Sequence, residues 1–501
     1  MRRPANATRA PSVAPTPLGI GERLRRAWAP ANQAETATFA GALLLLFAAA
    51  LFGGASQGNA LSLMAVEFAS LPLLFVSLYL VLAGAAPRQA TLPLVLLAAV
   101  VATPLLQLVP LPASVWTRLP GRATAAQVLD IARLGRPWLP FSLAPEQTWR
   151  SGMALAPPAA MFMGALFLSE GQRRVLAVCW LALAVVSLVV GALQMLGGEA
   201  SPLYFYPITN LGAPVGLFSN RNHQAEFLLC LIPIAAVFAA RFNGAFEDRR
   251  AFSALLAVLY IVVAIVGVAV TRSRAGIVLG GLALLGAGAV VARGGAVRRH
   301  WRGAAGIAGG GALAIAAVLM FGLGPILDRF GAGAAEPRFE DWPLVTRAAG
   351  GFLPLGSGIG SFQTVYDAIE PLGDVSPVYF NHAHNDYLEL WLETGAIGAG
   401  LLLVFAGWLA WRMWTIWTRA AGPGRDLAAA CSVTALLLAA HSAVDYPLRT
   451  EALAVLFAFA CAVLAVYRPA EETREQPLHA LLGDVRRDRD GPVRYQPEQG
   501  P

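Results

Sequence analysis

Long apolar runs constrain this chain more than any other feature. A helix that crosses a bilayer takes roughly 20 mostly apolar residues, because its backbone must satisfy its own hydrogen bonds in hydrocarbon. Such runs occur at 38–54, 62–85, 91–111, 152–169, 174–196, 223–241, 252–271, 275–293, 303–323, 388–411, 427–446 and 450–467. Hydrophobic residues make up 57% of the 501 and charged residues only 13%, a balance that a water-facing surface does not tolerate. The expected fold class is therefore all-α: a polytopic integral membrane protein of about 12 transmembrane helices. Three parts follow: a polar cytoplasmic N-terminal tail at 1–37, a transmembrane domain at 38–467, and a disordered cytoplasmic tail at 468–501. Short helices are expected within a large outer loop at 324–387.

The net charge of +7 comes from 37 basic residues that are all arginine. They sit in short clusters between apolar runs and not on a continuous stripe, which argues against a nucleic-acid partner. Cys179, Cys230, Cys431 and Cys461 each lie inside an apolar run, where they pack as small hydrophobes and not as a disulfide scaffold. The first 37 residues carry six arginines and no plausible cleavage site precedes the first run, so that run should be an uncleaved span. Positively charged loops stay cytoplasmic. An inside N-terminus puts 25 of the 37 arginines on the inner side, and even parity brings the C-terminus there too. The two long loops, about 112–151 and 324–387, then face outward.

This topology collects the polar chemistry at one level, the outer ends of the helices. His223, His382, His384 and His441 are all there, four of the six histidines. Ionisable groups at mid-bilayer cost roughly 2.5–3.5 kcal/mol each on insertion scales, so these should line a polar pocket and not face lipid. In TRSRAG, at 271–276, Arg272 fits either an interfacial anchor or the pocket. Arg274 begins a helix, where a guanidinium fork beside free backbone N–H groups suits a phosphate. In NRNH, at 220–223, Arg221 and His223 are expected to line the pocket, while Asn220 or Asn222 caps the helix and Glu226 satisfies a neighbouring donor.

HAHNDYLELWLETGAIG at 382–398 carries the densest signal. His384, Asn385 and Asp386 stand at a helix start, and Asn385, Glu389 and Glu393 fall on one helical face. Neutral imidazole can accept a proton near pH 7, which makes His384 the candidate base, with His382 close enough to compete. The H-x-H spacing is a weak metal signal, and no metal or other cofactor is expected. Upstream, Arg338 stands just ahead of a short amphipathic helix, and Gly356, Gly358 and Gly360 read as a tight turn. In HSAVDYPLR, at 441–449, His441 and Asp445 are one turn apart and are expected to close the last hairpin by pairing.

The elements NRNHQAEFL, SRAG, Arg338 with Trp342, PLGSGIGSF and HAHNDYLELWLETGAIG, in that order, resemble the O-antigen ligase and O-antigen polymerase superfamily. The resemblance covers about 220–400. One departure is Pro343 after Trp342, where the family pattern continues a helix. The resemblance implies a metal-independent, inverting glycosyltransferase of the bacterial inner membrane with its active site facing the periplasm. Such an enzyme moves a preassembled glycan from a polyprenyl-pyrophosphate-linked oligosaccharide donor onto lipid A core, another glycan or a protein. The family's essential histidine and two arginines correspond to His384, Arg274 and Arg338 here. Arg221, His223, Arg272, His382, Asn385 and Glu389 are the candidate substrate-binding residues. Polymerase activity within the same superfamily is the alternative. A lipid-glycan flippase is a weaker one, because a transporter should place charge near the bilayer midplane.

Overall fold

The computed structural model describes residues 30–55, 59–241, 247–293, 339, 341–373, 375 and 380–470. Most of these are helical. The long elements of the first half are α1 (Pro30–Phe52), α2 (Ala60–Leu82) and α3 (Thr91–Gln107). A surface segment follows with α4 (Ala113–Trp116), α5 (Ala123–Ile131) and α6 (Pro145–Met153). Within it β1 (Pro110–Leu111) pairs antiparallel with β2 (Leu139–Pro140), the one strand pairing among the described residues. Then come α7 (Ala156–Phe167), α8 (Glu170–Gly197), α9 (Arg221–Cys230), α10 (Ile232–Arg241), α11 (Glu247–Thr271) and α12 (Arg274–Arg293). The last third holds α13 (Trp342–Gly351), α14 (Phe362–Asp367), α15 (Asp386–Thr418), α16 (Arg425–His441) and α17 (Glu451–Val466).

Among the described residues, six helices are long and apolar enough to cross a membrane: Gln33–Phe52, Ala60–Leu82, Arg88–Gln107, Glu170–Gly197, Arg274–Arg293 and Asp386–Thr418. Leu255–Thr271 and Glu451–Val466 are shorter apolar helices. Each expected run other than 303–323 carries a helix; that run lies outside the described residues, as does Arg338. Two expected spans change shape. The run at 223–241 is broken into α9 and α10, because Pro233 has no N–H to give the carbonyl one turn back. The run at 427–446 ends early, since α16 stops at His441 and leaves Asp445 in the turn that follows.

The outer surface carries apolar side chains as a lipid-facing surface does. On α2, Leu61, Phe68, Phe75, Tyr79 and Leu82 point outward, whereas Val66, Ser70, Leu73 and Ser77 form the buried stripe. The buried serines donate to carbonyls of their own helix, Ser70 to Glu67 and Ser77 to Leu74, so none of that stripe needs water. At the centre α7 and α17 pack on each other. Ala159 through Leu166 are all buried on α7, and nearly every side chain of α17 is buried. Small residues along α7 let the backbones approach, the usual way helices associate where hydrocarbon replaces water. Around this pair stand α2 against α7, α16 against α17 and α12 against α16.

Pro343, the departure from the family pattern, sits in the first turn of α13, where a missing N–H costs nothing. The helix therefore begins at Trp342 instead of running through it.

Candidate active site

One end of the bundle gathers the starts of α9, α12, α15 and α17 with the end of α16. This is where the sequence places its histidines. The α15 start is built by capping: Asn385 Oδ1 accepts from the backbone N–H of Tyr387 (3.1 Å) and Leu388 (3.0 Å). Asp386 and Glu389 lie in the first turn, where carboxylates suit the positive helix end. His384, two residues before the helix, has φ +48, in the left-handed region that a side chain rarely adopts. Its neighbours hold it there. Trp342 Nε1 donates to the Ala383 carbonyl (2.8 Å), Ala383 N–H donates to Glu389 Oε2 (3.0 Å) and Asp386 N–H donates to the Ser442 carbonyl (2.8 Å).

The imidazole this creates is aimed across the bundle. His384 Nδ1 lies 3.1 Å from Asp445 Oδ1, a partner 61 residues away that the one-turn spacing to His441 had seemed to claim. His441 Nε2 is 3.9 Å from Asp445 Oδ2, and its Nδ1 is 3.3 Å from Glu226. Asp445 also accepts from Asn222 Nδ2 (2.7 Å) and from the Tyr446 N–H (3.0 Å). Burial alone would raise the Asp445 carboxyl. The hydrogen bond with His384 and the charge of the surrounding imidazoles outweigh it and hold that carboxyl far below the usual range.

The four histidines differ in access. The His384 side chain is 23% exposed and that of His382 only 7%, while His223 and His441 are fully enclosed. His382 Nδ1 is bonded to Glu389 (2.9 Å), and His223 Nδ1 to the Thr450 hydroxyl (2.9 Å). Tyr446 packs against three of them, its ring centroid 4.4 Å from His382, 4.9 Å from His384 and 5.1 Å from His223.

Beneath the histidines lies a cation that the sequence reading did not single out. Arg449 contacts Asp386 (3.4 Å), Glu389 (3.1 Å) and Glu393 (3.0 Å). Burial works against its charge, and the three carboxylates more than restore it. Glu389 and Glu393 share the expected face of α15, and both are committed to this network. The glycine turn supports the same network. Gly360 N–H donates to Glu393 Oε1 (2.8 Å), with Phe362 N–H at 3.3 Å. Gly356 lies so close to α15 that a Cβ there would stand 2.5 Å from the Glu393 backbone. Gly395, at φ +55, breaks α15 one turn on, and Ala396 N–H donates instead to the Pro354 carbonyl (2.8 Å).

The arginines at 272 and 274 sit in the turn from α11 to α12. Arg272 is exposed at φ +54, and Arg274 is half-buried in the first turn of α12. That turn abuts the NRNH helix, since a Cβ on Gly276 would stand 3.0 Å from Ala225. Arg221 is half-buried at the start of α9, its N–H on Asn210 Oδ1 (3.0 Å). Asn220 caps α9, as expected, through Asn222 N–H (2.8 Å). Asn222 is not the cap; its side-chain amide reaches Asp445 instead.

Residues 259–403 match the O-antigen ligase family. The matched O-antigen ligase segment contains Arg272, Arg274, His382, His384, Asn385, Glu389 and Glu393, with Arg338 in its undescribed part. A search of curated proteins finds no match to the chain. The O-antigen ligase match and the apolar helices together describe a membrane protein of glycosyltransferase-like type. Asp445 and Arg449, which hold the histidine and the acidic face, lie beyond the matched segment. Their only sequence signal was the HSAVDYPLR cluster at a helix end.

Proposed function

We propose that the chain is an O-antigen ligase-type glycosyltransferase, moving a glycan from a polyprenyl-pyrophosphate donor onto an acceptor hydroxyl at the periplasmic face. The observation that carries the reading is that His384 is the accessible imidazole of the four and is held by a buried carboxylate. A hydrogen bond to Asp445 puts the ring proton on Nδ1 and leaves the Nε2 lone pair to accept one. The acceptor oxygen attacks the anomeric carbon and its proton passes to Nε2. The bond from that carbon to the pyrophosphate oxygen breaks as the new glycosidic bond forms. Attack opposite the leaving group inverts the centre.

The departing pyrophosphate needs fixed positive charge, and guanidinium forks supply it without losing a proton. Arg274, in the first turn of α12 where Ser273 Oγ already caps the Gly276 N–H (3.0 Å), is assigned this role through its guanidinium alone. Arg338 is assigned as its companion on the resemblance alone. Arg221 and Arg272 are proposed to meet the donor at the rim. His223, His382, Asn385 and Glu389 are better described as the frame around His384, given the bonds each already makes. The chemistry is metal-independent. Gathering of charged groups at one helix end, and not at the middle, favours this reading over a flippase.

The test is transfer by purified protein from a lipid-linked oligosaccharide. His384→Ala and Arg274→Ala are expected to abolish transfer while both variants insert and melt as the parent does. General-base removal alone typically costs 10²–10⁴-fold, so about that loss is expected for His384→Ala. Full transfer by the His384→Ala variant ends the proposal. Offering lipid A core and a lipid-linked glycan as competing acceptors separates ligase from polymerase.

A further inference from the structure

The oxygen of Asp445 that does not face His384 leads to ionisable groups that the transfer reaction as described leaves unused. His441, the last residue of α16, is fully enclosed. Its two ring nitrogens face two different carboxylates: Nδ1 stands 3.3 Å from Glu226 Oε2, and Nε2 stands 3.9 Å from Asp445 Oδ2. Both carboxylates are fully enclosed as well. The other oxygen of Glu226 accepts from the Cys230 thiol (3.2 Å), a weak donor. His384, Asp445, His441 and Glu226 therefore form a chain that runs from the cleft into the bundle, from the start of α15 across the end of α16 to α9.

A neutral imidazole carries a proton on one ring nitrogen and a lone pair on the other. Either neutral form of His441 would aim a lone pair at an enclosed carboxylate. The imidazolium presents an N–H to both, and it supplies positive charge between two carboxylates that would be costly to enclose without it. The other ionisable groups facing His441 and Asp445 are Asp386 of α15, itself paired with Arg449, and the imidazoles of His223 and His384. Tyr446 packs on the His384 ring. A carboxylate bonded to an imidazole favours the protonated ring, and a cation on the far side of that carboxylate works against it.

We infer that His441, held as an imidazolium by Glu226, is a positioning residue for transfer: it holds the Oδ2 edge of Asp445 inward, so that Oδ1 faces His384, and its charge opposes protonation of His384 Nε2 before the acceptor arrives. This role rests on His384 being the base, and it adds what sets the pH at which that base is free.

The experiment measures transfer from a lipid-linked oligosaccharide by the purified full-length protein between pH 5 and pH 9. The parent, His384→Ala, His441→Gln and His441→Gln/Glu226→Gln are compared. The double variant removes cation and anion together, so it leaves no charge on Glu226 to pair and keeps the test open if the single variant fails to fold. Without the imidazolium, the acid limb of the profile should move up by about one pH unit in both variants, which is about a tenfold loss at a fixed pH on that limb. A His441 that only fills space would lower the folded yield and leave the limb where the parent has it. That result overturns the inference, as does a limb that moves to lower pH or a parent profile that is flat down to pH 5. His384→Ala keeps the two readings apart. Full transfer by that variant ends the assignment of His384 and this role with it, whereas lost transfer there beside unmoved limbs in the His441 variants ends the role of His441 alone.

Discussion

Two arginines, one half-buried and one buried, at opposite ends of the bundle, meet opposite surroundings. Arg449 sits among Asp386, Glu389 and Glu393, below the histidines. Arg412 is 1% exposed near the other end and gives Nε and Nη2 to the Leu464 carbonyl (2.9 and 2.6 Å), with Nη2 also on the Tyr467 carbonyl (2.6 Å). Arg412 thus satisfies the last turn of α17, whose carbonyls have no partner within the helix. These carbonyl partners are neutral, and the guanidinium also lies over the Trp411 ring, 5.2 Å from its centroid. Arg449 instead ties three carboxylates to the segment that carries Asp445 and Tyr446. The comparison teaches that burial and charge do not mark a functional arginine; the chemistry of the partners does.

The largest effect expected at the His384 end is on turnover. Asp445→Asn removes the carboxylate that orients His384, and transfer should fall about 10²–10⁴-fold with the protein still present in the membrane. Unchanged turnover in the purified variant would break the comparison, because that end would then be as structural as the other. The pH dependence sharpens the point. A carboxyl held below its unfolded value contributes stability that is present above the unfolded pKa, about 3.9, and is lost as pH falls through the folded one. Asp445 lies far below the usual range, so its own titration plays no part between pH 8 and pH 5, and the melting-temperature gap between parent and Asp445→Asn should not close over that range. A gap that closes at pH 5 would put Asp445 back in the ordinary range.

Next comes Arg449→Ala, which leaves Glu389 and Glu393 buried without their cation. Breaking a buried pair from one side costs about 3–5 kcal/mol, so the variant should melt well below the parent or fail to accumulate. Arg412→Ala should cost less, about 2 kcal/mol, since hydrogen bonds from a charged donor to carbonyls and the contact with the Trp411 ring are lost. It should leave transfer per folded molecule unchanged. Comparable losses for the two arginines would remove the distinction drawn between them. The smallest change is Ser169→Ala, which breaks the capping box in which Ser169 Oγ accepts from Gln172 N–H (3.3 Å) and Gln172 Oε1 accepts from Ser169 N–H (2.8 Å). About 1 kcal/mol is expected, read as a small drop in melting temperature with turnover intact.

Much of the site was legible because hydrocarbon penalises charge: ionisable residues at the mouths of apolar runs have few places to go except toward one another. His384 at the start of α15 and the acidic face of that helix follow from spacing alone. The caps at Asn220 and Asn385 were equally local. Three features were not legible. Asp445 sits one turn from His441, which suggests a local pair, yet its shorter contacts are with His384, just ahead of α15, and Asn222, on α9. The glycines of PLGSGIGSF look like a bare turn, yet their backbone approaches α15 closely enough to hold Glu393. Arg449 carries no local signal of its own until its three carboxylates, each more than 50 residues away in the chain, are brought around it.

From composition and periodicity alone came the membrane-helical character and the approximate placing of the runs among the described residues; the choice of His384 over His382 came with the family resemblance. The first two rest on interactions that act along the chain or between chain and solvent: apolar transfer, backbone hydrogen bonding and helix capping. Tertiary structure alone decided which carboxylate meets which base, which arginine is caged and which turn braces the acidic helix. Those choices turn on distances of about 3 Å between side chains from different helices, and linear order along the chain does not encode which of several equivalent partners packing will bring into reach.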